Sequence, residues 1–163
     1  MITIKSNINS VKRGIKAWKR FQEDQIKEQV LRSAYNIEAE AKRNVPKFTS
    51  ILAATLNVKK IKSGFAAQIG SGVLSGKPLV YASAIEFGRK PGGFPPWQIN
   101  SGLYKWVQLK LGITGKMGKQ VAFLIARKIA NEGFKGQPYL VPAHDNEKTN
   151  FSKKLAKILK KVR

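Results

Sequence analysis

The sequence contains no cysteine and a single histidine, His144. The first absence excludes disulfide frameworks and thiolate metal sites together. With one imidazole, neither a histidine metal cluster nor a histidine-based triad is expected, and no cofactor is implied. Acids are scarce as well, nine against 31 Lys and Arg, for a net charge of +22. No apolar run approaches the roughly 20 residues of a membrane span; an anionic membrane surface is a distant third candidate for the basic charge, and no membrane partner is expected. The N-terminus carries no hydrophobic signal region, and the expected location is the cytoplasm in which the chain is made.

What the chain does contain is enough for one domain, since 42% hydrophobic residues over 163 positions can bury a core without staples. The surplus of 22 positive charges repels itself in a compact chain and favours a polyanionic neighbour. Nucleic acid is the first candidate and an acidic protein surface the second.

Asn9 or Ser10 reads as a helix cap. Apolar residues then recur at Val11, Ile15 and Trp18, and again at Ile26, Val30, Ala34, Ile37 and Ala41. Steps of three and four define one helix face, loosened near Gln22 to Gln25. Lys12, Lys16 and Lys19 form a basic stripe beside it, and Pro46 ends the helix. Ile2 to Lys5 reads as a short strand or an extended arm. Leu56 to Lys62 and Phe65 to Ile69, around Ser63-Gly64, form a hairpin, and Gly70 to Pro78 is a loop. Tyr81 to Phe87 is rich in alanine and reads as a helical turn. Gly88 to Ser101 is a proline-stiffened surface loop around Trp97.

Two short amphipathic helices follow, one ending at Gly112 and one over Val121 to Ala130. Pro142 suits the first turn of a last helix, which is expected to bury Phe151, Leu155, Ile158 and Val162 and to expose Lys153, Lys157 and Lys160. The expected fold is α+β: a long N-terminal helix packed on a small antiparallel sheet, with further helices including a C-terminal one. Its parts are an N-terminal arm (1–9), the long helix (10–45), a hairpin and central box (49–88), a loop plus helical insert (89–132), and a proline box with the C-terminal helix (137–163).

Candidate chemistry is thin. The segment Gly70 to Pro78 contains Ser75-Gly76-Lys77, but Ser71 stands where a phosphate-binding loop needs its first glycine and Pro78 where it needs a hydroxyl. Glu86 lies in the apolar stretch Tyr81 to Gly88 and needs a partner there. An acid–base pair of Glu86 with His144 would be nuclease-like, but no metal-ligand spacing supports it. A salt bridge or backbone contact that orients the following loop is the favoured role. Trp18 and Trp106 fall at core periodicity, whereas Trp97 is the aromatic expected to meet a partner.

Three stretches taken together resemble the tail-completion or head–tail connector family of long-tailed bacteriophages. Val45-Pro46 with Thr49, Leu52 and Thr55 matches its first box, with Ser50 in place of a glycine. Tyr81, Ala82, Glu86, Phe87 and Gly88 match the second, with Arg89 in place of threonine. Pro138, Tyr139, Leu140, Pro142 and Ala143 match the third, a proline box before the last helix. The resemblance implies a non-enzymatic virion protein of the neck, assembled in the host cytoplasm into rings, commonly hexameric. Its implied partners are its own copies, the adjacent head-connector and tail-tube or terminator proteins, and packaged DNA held without sequence preference. Assembly contacts are then expected at Tyr81, Glu86, Phe87, Gly88, Arg89, Trp97, Pro138, Tyr139 and Pro142, and polyanion contacts at Lys12, Lys16, Lys19, Lys153, Lys157 and Lys160. An independent, sequence-independent nucleic-acid-binding protein is the alternative.

Overall fold

In a computed structural model, residues 8–46, 51–72 and 80–160 are described. The chain begins with one long helix, α1 (Ile8–Asn44), and a short one, α2 (Ile51–Thr55), leads into strand β1 (Leu56–Ile61). A 3-10 turn at Lys62–Gly64 reverses the chain into β2 (Ala66–Ser71). Then come α3 (Val80–Phe87), the two-residue strand β3 (Gly88–Arg89), α4 (Gly102–Leu111), α5 (Gly115–Glu132), the two-residue β4 (Phe134–Lys135) and α6 (Leu140–Lys160). The fold is α+β, a long N-terminal helix on a small antiparallel sheet with a C-terminal helix against it.

Strands β1 and β2 pair antiparallel from Leu56↔Ser71 to Ile61↔Ala66. Their turn needs left-handed backbone at three successive residues, Lys62, Ser63 and Gly64. Only the glycine adopts that without a steric penalty. Its missing side chain also leaves room for the Lys27 stem, and the Lys27 ammonium lies 4.8 Å from the centre of the Phe65 ring. The hairpin is thereby seated on α1.

Helix α1 is continuous through Gln22 to Gln25, where loosening was expected, and Asn9 and Ser10 lie inside it. Nor does it present one apolar face along its length. Ala34, Ala41 and the following Val45 are buried, but Val11, Ile15, Trp18 and Phe21 are 49–62% exposed. The two runs of apolar residues are each helical in period yet rotated from one another, and only the second faces the body of the protein. The expected strand at Ile2 to Lys5, the residues Thr49 and Ser50, most of the Gly70 to Pro78 loop, and Val162 lie outside the described residues.

Two clusters make the core. The main one gathers Ala41, Val45, Leu52, Leu56, Tyr139 and Ala143, with Ile37, Ala82, Ile85 and Leu140 packed on it. The second lies between α4 and α5, where Tyr104, Val107 and Ala122 are ringed by Trp97, Trp106 and Ile113. Helix α4 starts on a Ser101 cap, whose hydroxyl accepts from the Tyr104 amide, and stops at left-handed Gly112. The Tyr104 hydroxyl accepts from the Gly115 amide and so fixes the start of α5. That helix begins six residues before the expected Val121.

Helix α6 runs antiparallel to α1 on a polar seam. Glu147, 7% exposed, accepts from the Ser33 hydroxyl at 2.8 Å and the Asn36 amide at 3.3 Å, and Gln29 donates to Ser33. Asn146 donates to Glu40 farther along. The fully buried positions of α6 are thus Ala143 and Glu147, whereas Phe151, Leu155 and Ile158 are only half-buried.

Candidate functional site

Described residues from each of the three boxes meet at the start of α6. The physical reason is a backbone problem. An α-helix leaves the amides of its first four positions without acceptors, here Tyr139, Leu140, Val141 and residue 142. Glu86, at the end of α3 and 4% exposed, accepts three of them. Its Oε2 takes the Tyr139 and Leu140 amides at 2.9 and 3.0 Å, and its Oε1 takes the Val141 amide at 2.8 Å. The fourth position is Pro142, which has no amide hydrogen. The donor account of this helix end therefore closes on one carboxylate and one proline.

The carboxylate also sits at the N-terminal, positive end of the α6 dipole, a favourable place for an acidic side chain. With both oxygens engaged by fixed backbone donors, Glu86 has the geometry of a cap. The expected backbone contact is present, but its partners are the first amides of α6 and not the loop that follows Glu86. Among the described residues no three of His, Cys, Asp and Glu come together as metal ligands. His144 is exposed and lies beside its neighbour Asp145, with Nδ1 at 3.1 Å from the carboxylate.

The cap is held in place by an unusually close approach of two backbones. Strands β3 and β4 pair Gly88 with Lys135 and Arg89 with Phe134, and the Gln137 amide donates to the Ile85 carbonyl at 2.7 Å. A Cβ on Gly136 would lie 2.5 Å from the Gly88 amide nitrogen and 2.6 Å from the Glu86 carbonyl. A Cβ on Gly88, whose φ is +79°, would meet the Phe134 carbonyl at 2.6 Å. The second and third boxes are thus joined through facing glycines. The first box joins through packing: Val45 and Leu52 share the main cluster with Ile85, Tyr139 and Ala143.

Tyr139 is 3% exposed beneath this cap. Its hydroxyl pKa is raised above the ordinary value of 10.0, first by burial, then by the Glu86 carboxylate, then by Tyr81. Within the boxes, Phe87 is 76% exposed and Tyr81 41%, while Pro138 and Pro142 are exposed. The Arg89 guanidinium donates to the Gly93 carbonyl and braces the proline loop. Trp97 is turned inward onto the α4–α5 cluster, edge-on to Phe123 at 5.1 Å with the Lys119 ammonium over its ring. Its ring is half-buried there.

Two basic stripes are exposed as expected, Lys12, Lys16 and Lys19 on the first turns of α1 and Lys153, Lys157 and Lys160 on α6. The sequence reading missed the Glu147–Ser33–Asn36 seam and the facing pair Gly88 and Gly136. Glu147 is flanked by charged and polar residues and reads as surface. Gly136 had a detectable signal, being one of two glycines set just before the proline box. Comparison of this chain with protein-family models, with curated proteins and with solved structures finds no match.

Proposed function

We propose that this chain is a structural protein of a phage neck, a non-enzymatic, ring-forming component that joins tail to head. What supports it most is the convergence of the three family-like boxes on one junction, where Glu86 caps α6. Residues that looked like scattered matches act as one assembly of cap, proline and facing glycines. Such a junction fixes the directions of α3, the proline loop and α6 relative to one another. That suits a part whose contacts must repeat from copy to copy around a ring.

The exposed Phe87 and Tyr81 at its rim are then contacts to neighbouring copies or adjacent rings. The lysine stripes face packaged DNA or acidic neck proteins. Their dispersal suits backbone phosphates, which carry no sequence information.

The second reading, an independent nucleic-acid-binding protein, draws on the +22 charge alone. Duplex-DNA titrations at several salt concentrations separate the two. A neck component binds the isolated duplex weakly at physiological salt. Tight binding whose affinity falls steeply with log salt, with a slope of about one per neutralised phosphate, would transfer the assignment to the second reading.

A further inference from the structure

The first third of α1 is a helix with an apolar face that no described residue covers. Val11, Ile15, Trp18 and Phe21 are 60, 62, 49 and 59% exposed, although their steps of four, three and three place them on one side. The stripe they start does not end there. Val11, Trp18, Gln25 and Arg32 recur every seven residues, as do Ile15, Gln22, Gln29 and Asn36. Past Trp18 those positions are polar, so the line passes from an apolar first third to a polar middle.

Farther along, α6 lies beside the same line, burying Gln29 while Arg32 and Asn36 stay exposed. Asn36 donates to Glu147, and Gln25, Gln29 and Arg32 share a groove with Lys154, Lys157 and Ile158. The described part of α6, which ends at Lys160, lies beside the polar part of the stripe, and no described residue covers the apolar part.

The chemistry of what would lie there is constrained by charge. From Asn9 to Gln22 the helix carries Lys12, Arg13, Lys16, Lys19 and Arg20 and no acid. A second copy of the arm laid against it would set cations against cations, and the rest of the chain is strongly basic too. The stripe's continuity with the α1–α6 seam selects a helix, and its flanks select acids. We propose that residues 8–22 are a docking arm for an acidic amphipathic helix of a different protein. That helix lies along Val11, Ile15 and Trp18 in line with α6, its carboxylates against Lys12, Lys16 and Lys19. Anchors at i, i+4 and i+7 are the pattern by which an amphipathic helix is read lengthwise. This inference does not depend on the phage reading.

The test uses the full chain and a synthetic peptide of about four heptads, with Leu at the first and fourth positions and Glu at the fifth and seventh. A control peptide carries Lys in place of Glu. Calorimetry should show one-to-one binding of the acidic peptide that weakens with salt, and no binding of the control. Combining Val11→Ser, Ile15→Ser and Trp18→Ser should weaken it at least tenfold with the melting temperature unchanged, because these three side chains are half or more exposed among the described residues. Lys12→Glu, Lys16→Glu and Lys19→Glu together should reverse the preference toward the Lys peptide.

Equal binding of both peptides, or full binding by the serine triple variant, would overturn the proposal. So would failure of the acidic peptide while the arm binds phosphatidylglycerol vesicles or duplex DNA, which would make it a lipid or nucleic-acid element. Sedimentation gives the remaining outcome: self-association abolished by the serine variant, without peptide binding, would mean that a second copy covers the arm.

Discussion

Glu86 is where a single residue has the largest structural reach. Replacing it by Ala leaves three amides at the start of α6 without their acceptor, one of them, that of Tyr139, in a buried bond. The expected loss is about 2–3 kcal/mol of folding stability, read as a lower urea midpoint with unchanged slope. Glu86→Gln keeps an acceptor oxygen but loses the charge opposite the helix dipole, and should cost about 1 kcal/mol. Equal losses for the two variants would show that the charge contributes nothing.

Tyr139 makes a second residue-scale prediction. Its hydroxyl pKa is higher in the folded chain than in the unfolded one, where it ionises near 10.0. Above that pH the unfolded chain releases a proton that the folded chain still holds, so stability must fall as pH rises. The contribution is intact below about pH 10 and disappears as pH climbs through the raised folded value. Urea midpoints measured from pH 8 into the alkaline range should therefore decline more steeply for the native chain than for Tyr139→Phe. Parallel declines would contradict this.

Elements show which parts of the fold were legible in sequence. The hairpin was readable because Ser63-Gly64 supplies its turn between two short runs that carry Val58, Ile61, Phe65 and Ile69. The last helix was readable because Pro142 can stand only in a first turn or outside a helix. The reach of α1's core face was not readable, since an apolar stripe in a helix looks the same whether the partner is within the chain or elsewhere. The neighbours of Trp97 were hidden for a similar reason: Phe123 and Lys119 approach it from α5, far away in sequence.

The α1–α6 seam was hidden because it is polar. Ser33→Ala should cost about 1–2 kcal/mol by depriving the buried Glu147 carboxylate of a donor. Its effect should shrink when Glu147 is already replaced by Leu, a coupling that a double-mutant cycle measures. Strict additivity would mean that the 2.8 Å contact does not bind the two helices together.

At the scale of the whole molecule, a chain of +22 carries two exposed lysine stripes and an uncovered apolar arm, features that point outward to other molecules. The candidate site was half legible. The three boxes could be read as a set, but not that Glu86 of one closes the donor account of another, because hydrogen bonds across 53 to 55 residues leave no local pattern. The central claim is that this assembly belongs to a particle's neck. Electron microscopy of lysates from a phage genome deleted for this coding sequence tests it most directly. DNA-filled heads beside separate, finished tails are the predicted result. Intact, joined particles would contradict the account and leave the chain as a nucleic-acid-binding protein.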